Sequence, residues 1–345
     1  MKTEIIHISS PSDKQDQLRH AAEILKNGGL VVFPTETVYG LGGDATNSQV
    51  ARKIYSAKGR PSNNPLIIHL ANPEDAEQYA VTSEYYYRLA KAFMPGPLTI
   101  ILPKKASIPD EVTGGLDTVA VRCPSHPVAR DLIKQAGIPI AAPSANISGR
   151  PSPTSAKYCI SDLDGKVDAI IDGGECDIGL ESTIVMLRGS KAILLRPGAI
   201  TYDALLCVCE SVELSAAAEG TVAENERPLA PGMMYRHYAP SSAFVLLEGA
   251  QEAFIPYVKS RRESGENCAV ICSSDEADIL ENKNTVIYGD PNDIATQAHR
   301  LFSALREADA LGCDIIYARK PDTHGLGLAL YNRMIRAASH TVTKI

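Results

Sequence analysis

The first 210 residues alternate between short apolar runs and segments with helical spacing. Runs rich in β-branched residues and bounded by turn formers predict strands at 30–33, 66–70, 98–102, 118–122, 138–142, 169–172, 182–187 and 192–195. Helical spacing predicts helices near 14–27, 48–57, 73–80, 83–93 and 126–136. Several neighbouring strands are too close in sequence for a crossover helix between them, so the pattern predicts a mixed sheet with flanking helices.

A more regular pattern begins after Pro240. Strands are predicted at 243–247, 268–272, 285–288 and 314–318, and helices follow them at 251–262, 276–282, 293–308 and 326–338. Strict strand–helix alternation over about a hundred residues is typical of a small, doubly wound parallel α/β domain, Rossmann-like in architecture.

Between these regions the composition changes, and no sustained period runs from Ser215 to Pro240. The chain is therefore interpreted as a first domain at 1–210, a linker at 211–240 and a second domain at 241–345. Aromatic residues gather late in this linker, at Tyr235, His237 and Tyr238. They either attach the linker to a domain surface or contact a ligand, and the sequence leaves both readings open.

Composition narrows the function classes. The 345 residues are 44% hydrophobic, enough to bury the cores of two domains, and the net charge of −7 argues against a general nucleic-acid coat or a membrane-surface protein. The first residues form no signal core, and no apolar run approaches membrane-spanning length. Eight scattered cysteines without a C-x-x-C pair favour reduced thiols in a cytoplasmic protein over a zinc site.

The stretch from Leu30 to Pro61 has the layout of an anion site. A predicted strand leads into a loop of polar residues and glycines, and the next helix delivers Lys58 and Arg60. The glycines at 40, 42 and 43 are interpreted as a tight turn that lets the backbone approach a ligand. The chain contains no G-x-x-x-x-G-K-[ST] motif, so a nucleotide would have to be held without a P-loop.

The residue types of this first domain suggest two groups of ligand contacts. Lys58 and Arg60 could neutralise phosphate beside the strand-end turn Ser144–Asn146, although composition alone favours a solvated helix end for the two cations. Arg122 and Arg196 both close apolar strands and, with Thr35, hint at carboxylate or phosphate recognition.

Signatures of covalent catalysis are missing from the sequence. It has no H-E-x-x-H or G-x-S-x-G motif and no obvious nucleophile, and packing is the commoner fate for a histidine such as His69 inside an apolar strand. A site with anion clamps and no nucleophile suits direct attack between two bound substrates.

A longer series of motifs is more specific than any of these residues alone. In chain order these are FPTETVYGLGGDA, KGRPSNNPL, PGPLT, GLDTVAVRCPSHP, PIAAPSANISGRPSPT, IDGG, ESTIV and LLRPG. They resemble the YrdC-type threonylcarbamoyl-AMP synthases, and APGMMYRHYAP followed by a second α/β domain resembles the long form of that family. The resemblance covers essentially the whole chain.

The resemblance implies a fold and a reaction. The fold would be a YrdC-like mixed, twisted sheet with a concave cleft, followed by the smaller parallel domain. The enzyme would join L-threonine, bicarbonate or carbon dioxide, and ATP into threonylcarbamoyl-AMP and pyrophosphate, for threonylcarbamoyladenosine in tRNA. ATP would be a substrate accompanied by Mg²⁺, with no metal ligand from the protein and no prosthetic group. A tRNA threonylcarbamoyl-transfer complex would take the product, and contact with tRNA itself would be indirect.

Site residues are carried over from the family's motifs. The catalytic set would be Lys58, Arg60, Ser144 and Asn146. Threonine would be bound by Thr35, Ile67, His69, Arg122, Ala142 and Ser182. ATP would be bound by Lys58, Ser62, Thr118, Ser144, Ser152, Arg196, Tyr235, His237 and Tyr238, the last three through a linker that closes over the site.

Two alternatives stay open at this point. The same fold type occurs in carbamoyl-transfer proteins of hydrogenase maturation, but those carry acylphosphatase-like and zinc-finger segments that are not visible here. A concave basic face could instead bind double-stranded RNA, which would predict strongly salt-dependent RNA affinity and no ATP turnover.

Overall fold

The structure is a computed structural model that describes residues 2–8, 11–220, 237–281 and 284–345. The described chain divides into two compact units. The second unit combines the residues from 237 onward with two short earlier segments, Gly149–Pro151 and Ile178–Leu180, and the first unit holds the remaining residues.

The first unit is built on one large sheet. Its strands are β1 (Glu4–His7), β2 (Val31–Phe33), β3 (Gly40–Asp44), β4 (Ile67–His69), β5 (Leu98–Pro103), β6 (Thr118–Arg122), β7 (Ile140–Ala142), β8 (Ala169–Asp172), β9 (Thr183–Arg188), β10 (Lys191–Arg196) and β11 (Ser211–Leu214). Its helices are α1 (Pro11–Lys26), α2 (Ser48–Lys58), α3 (Glu84–Phe93), α4 (Asp110–Thr113), α5 (Pro127–Ala136), α6 (Ala156–Leu163) and α7 (Tyr202–Leu206), with a 3₁₀ turn at Pro73–Gln78.

The strand order is β1-β8-β2-β3-β7-β4-β6-β5-β9-β10-β11. Five neighbouring pairs are parallel and five are antiparallel, which confirms the predicted mixed sheet. The first face packs its buried residues, among them Ile68, Val121 and Val185, into the largest core. On the second face, α1 and α5 supply residues to a separate core that includes Phe33 and Ile140. The part of this face formed by β4, β5, β6, β9 and β10 carries a smaller apolar cluster.

The interpretation of Gly40–Gly43 as a turn is wrong. These glycines lie in β3, which pairs antiparallel with β2 on one side and β7 on the other. A β-carbon on Gly42 would lie 2.7 Å from Phe33 Cε1, and one on Gly43 would lie 2.4 Å from Val50 Cγ1. Glycine is therefore needed because neighbouring side chains pack directly onto this backbone, as close approach inside a strand requires.

We expect Gly43→Ala to destabilise the first unit by about 1–3 kcal/mol, since it forces a methyl group into a filled core. Urea denaturation of the variant and the wild type measures the difference. In a Val50→Ala background the same substitution should cost less, because the closest side chain has been shortened. Strictly additive losses would show that this contact is not the cause.

Helix α2 is fixed at both ends by local chemistry. The Asn47 side chain accepts hydrogen bonds from the backbone N–H groups of Gln49 and Val50, which caps the N-terminus. Gly59 ends the helix in the left-handed conformation at φ 62°, and Lys58 is the last helical residue. The helix therefore brings Lys58 to a defined position.

The second unit contains one entirely parallel sheet. Its strands are β12 (Ala243–Glu248), β13 (Cys268–Ser273), β14 (Thr285–Gly289), β15 (Ile315–Arg319) and β16 (Val342–Lys344), in the order β14-β13-β15-β12-β16. Its helices are α8 (Gln251–Glu263), α9 (Ser274–Ile279), α10 (Ile294–Ala310) and α11 (Leu326–Ala337). This arrangement confirms the predicted parallel α/β architecture. Within the described ranges, no helix is both long and apolar enough to cross a bilayer.

Candidate active site

Strand register gathers several of the predicted residues on one face of the large sheet. His69 pairs with Arg122 across β4 and β6, and Arg122 pairs with Thr99 across β6 and β5. Side chains two or four residues apart on a strand share a face. Ile67 therefore lies on the same face as His69, and Thr118 lies on the same face as Arg122. Apolar side chains from these and the adjoining strands form one cluster on this face, consisting of Ile67, Ile101, Ala120, Ile184 and Leu195. Ala142 pairs with Ile67 across β7 and β4.

Arg122 is buried and held from one side. Its NH2 group donates to Glu36 Oε1 at 2.7 Å, to Thr37 Oγ1 at 2.8 Å and to Thr35 Oγ1 at 3.5 Å. Glu36 is equally buried, and its other oxygen accepts the backbone N–H of Ser125 at 3.1 Å. The loop after β2 therefore supplies three side-chain oxygens to a single guanidinium nitrogen.

Another guanidinium nitrogen of Arg122 lacks a contact of this kind within the described ranges. Its Nε is buried and has no hydrogen-bond partner among the described residues. A buried donor without a partner costs about 1–3 kcal/mol, and an arginine fork matches the two oxygens of a carboxylate. A guanidinium held in this way retains a donor suited to a carboxylate or phosphate oxygen.

Ser182 and Arg196 extend this polar group. Arg196 donates from NH2 to Ser182 Oγ at 3.1 Å and from Nε to the Ser182 carbonyl at 3.0 Å. Ser182 Oγ lies 2.8 Å from Thr99 Oγ1, and Thr99 is the register neighbour of Arg122. The structure thus connects two arginines that the sequence separates by more than seventy residues, and both are buried.

His69 is buried and electrically neutral. Its Nδ1 lies 3.2 Å from the Ile67 carbonyl oxygen, and its ring meets the Phe33 ring edge-on. Burial, with the nearby charge of Arg122 as a smaller cause, lowers the pKa of His69 to about 3. The sequence-based expectation of a packed histidine with a satisfied nitrogen is confirmed, and the same ring borders Arg122.

The depressed pKa of His69 predicts an acid-sensitive stability. In the unfolded chain this histidine binds a proton near pH 6.5, whereas in the folded chain it does not until about pH 3. The free energy of unfolding should therefore fall as pH drops through this window, with a His69 share of up to about 1.4 kcal/mol per pH unit. Urea titrations of wild type and His69→Gln at pH 7 and pH 5 measure it, and equal pH slopes in the two proteins would contradict it.

Lys58 is almost completely buried at the end of α2. Its Nζ donates to the Ser144 carbonyl at 2.5 Å and to the Asn146 carbonyl. The Ser144 hydroxyl in turn donates to Asn146 Oδ1 at 2.5 Å. The composition-based preference for a solvated helix end is therefore wrong for Lys58, because main-chain carbonyls from a distant turn satisfy the ammonium.

Arg60 is also buried, and it bonds to the chain that follows it. Its Nε donates to the Asn64 carbonyl at 3.3 Å and its NH2 donates to the Pro65 carbonyl at 3.1 Å. The solvated reading is thus wrong for this residue too. Ser62, which lies in the turn between Arg60 and Asn64, is exposed.

The remaining predicted residues fall in separate places. Ser152 is buried and donates to Glu181 Oε1 at 2.6 Å, next to Ser182 in the chain. His237 and Tyr238 belong to the second unit, where the Tyr238 ring lies 5.0 Å from the Phe302 ring. Tyr235 lies outside the described residues.

Sequence reasoning missed Glu36, Thr37, Thr99 and Glu181. Glu36 had a detectable signal, because it is a lone acid in the short loop that follows a buried strand. Thr99 gave none, because only the strand register brings it beside Arg122. Glu181 gave none, because its partner Ser152 lies 29 residues away in the chain. In the part of the chain that the structure describes, no cluster of three or more His, Cys, Asp or Glu side chains could hold a metal ion.

Comparison with known proteins identifies the family. The Sua5/YciO/YrdC family model, described as telomere recombination, matches residues 23–198, and the model for the threonylcarbamoyl-AMP synthase C-terminal domain matches residues 200–339. The chain is 41% identical over 336 residues to the threonylcarbamoyl-AMP synthase of Bacillus subtilis, with 96% of each chain covered. It is 44% identical over 336 residues to that of Pyrococcus abyssi, with 95% of this chain and 96% of the other covered.

A solved structure agrees with these matches over the whole length. The crystal structure of P. abyssi Sua5 complexed with L-threonine has a TM-score of 0.91 and 39% identity, and the match covers 100% of both chains. The chain therefore belongs to the threonylcarbamoyl-AMP synthases, a family of enzymes, in the long form that carries the additional C-terminal domain.

Proposed function

We propose that this enzyme makes L-threonylcarbamoyl-AMP from L-threonine, bicarbonate or carbon dioxide, and ATP, and releases pyrophosphate. The observation that carries the proposal is the buried Arg122 guanidinium, whose Nε is unpartnered while NH2 is saturated by three side-chain oxygens. A buried carboxylate receptor of this kind suits an amino acid. The relatives' name, and the threonine in the P. abyssi complex, support threonine as this amino acid.

The threonine side chain would lie on the sheet face beside Arg122. Ile67 and Ala142, paired across β4 and β7, offer an apolar contact for its methyl group. Thr35 and neutral His69 supply polar atoms beside Arg122. Ser182 joins this group through Thr99, the register neighbour of Arg122. Because serine lacks only the methyl group, this surface should disfavour serine by about 1–3 kcal/mol.

The chemistry would proceed in two steps. The threonine amine attacks the carbon of carbon dioxide and forms a new C–N bond. Loss of a proton from the nitrogen then gives a carbamate. A carbamate oxygen then attacks the α-phosphorus of ATP, the bond to the bridging oxygen breaks, and pyrophosphate leaves with the electron pair. This direct transfer needs no protein nucleophile, so positioning and charge neutralisation supply the catalysis.

For ATP we propose the set Lys58, Ser62, Thr118, Ser144, Ser152 and Arg196, together with Asn146 and Arg60 of the catalytic group. Lys58, Ser144 and Asn146 already form one hydrogen-bonded unit, which supports a shared role. Tyr235, His237 and Tyr238 are proposed to contact the nucleotide from the linker.

Magnesium is proposed to arrive with ATP. A nucleotide-bound Mg²⁺ keeps several waters and is held largely by the substrate phosphates, so we propose no direct metal ligand from the protein. When bound, the ion neutralises phosphate charge.

The proposed product is a suitable intermediate for tRNA modification. A carbamoyl adenylate is a mixed anhydride, so a second enzyme must transfer its threonylcarbamoyl group to an acceptor. We propose that a tRNA threonylcarbamoyl-transfer complex does so, forming threonylcarbamoyladenosine next to the anticodon, and that both enzymes work in the cytoplasm.

Pyrophosphate release from ATP and bicarbonate tests the proposal. The assay compares L-threonine, L-serine and no amino acid. Release that depends on threonine, with a smaller rate for serine, is the expected result. Equal and negligible release in all three reactions would overturn the proposed function.

A further inference from the structure

We propose that Glu36 is the positioning residue that sets the threonine-binding geometry of Arg122. The inference rests on the proposed function and adds a residue to the threonine site. Glu36 touches the arginine and not the substrate, so its effect on threonine would pass through the guanidinium.

The hydrogen bonds of Glu36 fix Arg122 from two directions. Oε1 accepts from Arg122 NH2, and Oε2 accepts from the backbone N–H of Ser125, three residues after the arginine. One carboxylate thus ties the guanidinium to the loop that follows β6. Both charged side chains are only 5% exposed, so water screens their pairing weakly.

The loop that carries Glu36 is itself held in place. Thr35 Oγ1 donates to the Val38 carbonyl at 2.7 Å and accepts the backbone N–H of Val38 at 3.3 Å. This closes a turn around the glutamate, so its carboxylate is a fixed acceptor.

The NH2 and Nε atoms of the Arg122 guanidinium differ in their contacts. This difference explains why an anion site can include the Glu36 carboxylate. Glu36 and Thr37 use NH2, and Nε has no hydrogen-bond partner among the described residues. In the proposed site, the threonine carboxylate would use the guanidinium donors that Glu36 and Thr37 leave, without displacing the Glu36 carboxylate. A glutamate that only cancelled the charge of Arg122 would weaken threonine binding, whereas one that orients the guanidinium strengthens it.

Glu36→Gln separates these two roles. The glutamine keeps the volume but has one acceptor oxygen in place of two, so it cannot accept from both Arg122 and Ser125 in the same way. We expect the KM for threonine to rise about tenfold or more while the KM for ATP stays within about twofold. Calorimetric titration with threonine alone should show the same weakening. Glu36→Asp retains both oxygens on a shorter stem and should fall between wild type and Gln.

Glu276→Gln is the matched control. Glu276 is a buried glutamate in the second unit whose Oε1 accepts from Arg319 at 2.7 Å, the same distance as in the Glu36 pair. Its loss should lower thermal stability without changing the threonine KM. Unchanged or tighter threonine binding in Glu36→Gln, with an active wild type, would overturn this inference alone. A wild type without threonine-dependent pyrophosphate release would instead overturn the proposed function, and this inference with it.

Discussion

Replacing Arg122 with Leu is expected to reduce kcat/KM for threonine by about a hundredfold or more. The substitution removes the donors proposed for the substrate carboxylate and leaves Glu36 as a buried charge without its arginine. Removing one member of a buried, hydrogen-bonded charge pair costs about 2–5 kcal/mol, and about 1.4 kcal/mol corresponds to a factor of ten. Steady-state pyrophosphate release at varied threonine concentration measures the loss.

Two further variants show whether this loss concerns threonine in particular. Arg122→Lys keeps the charge but loses the planar fork, so it should recover only a small part of the affinity for threonine. The double variant Arg122→Leu with Glu36→Gln removes the stranded charge and should regain stability without regaining activity. Activity restored by that pair would show that the fold, and not the carboxylate contact, had been lost.

Lys58→Ala should lower the rate of pyrophosphate release by about a hundredfold and also destabilise the first unit. The ammonium satisfies two carbonyls of the Ser144–Asn146 turn, and each buried acceptor left without a partner costs about 1–3 kcal/mol. The turn proposed to contact ATP would then lose its support. Single-turnover release measures the rate, and thermal denaturation measures the stability.

Lys53→Ala is the control for that experiment. Lys53 lies on the same helix, is exposed, and also donates to a main-chain carbonyl, that of Gly28, at 2.8 Å. It should leave pyrophosphate release near the wild-type rate. Equilibrium binding of threonine should survive in Lys58→Ala, because the proposed threonine contacts lie elsewhere. A variant that released pyrophosphate at the wild-type rate would contradict the role of Lys58.

The fold was predictable where local pattern and tertiary structure agree. Strict alternation in the C-terminal third predicted its parallel sheet, and the apolar run at 169–172 coincides with β8. The prediction failed at Gly40–Asp44. This strand is composed largely of glycine because side chains from other elements pack against its backbone, and its own residues do not indicate that packing. Strand β1 was also missed, since its four residues are stabilised by a partner strand that lies far along the sequence.

The residue types of the site were predictable from the sequence. The contacts between those residues were less predictable. Arg122, Lys58 and Ser144 stand out because cations and hydroxyls follow apolar strands or helices. Their burial could not be predicted, since the carbonyls that satisfy Lys58 lie more than eighty residues away. The ion pair with Glu36 likewise depends on the loop after β2 reaching Arg122 at the end of β6, although three strands of the folded sheet lie between β2 and β6.

The position of β1 has a consequence for synthesis on the ribosome. Its residues Glu4 and Ile5 pair with Ala169 and Ile170, so within the described sheet this strand has no partner until β8 has been translated. At about 5–20 residues per second this interval is roughly 10–35 s, during which an unpaired strand edge is exposed to other nascent chains. Slow codons or chaperone depletion should therefore harm this chain most before residue 172 has emerged, and a circular permutant that begins near β8 should shorten the exposure.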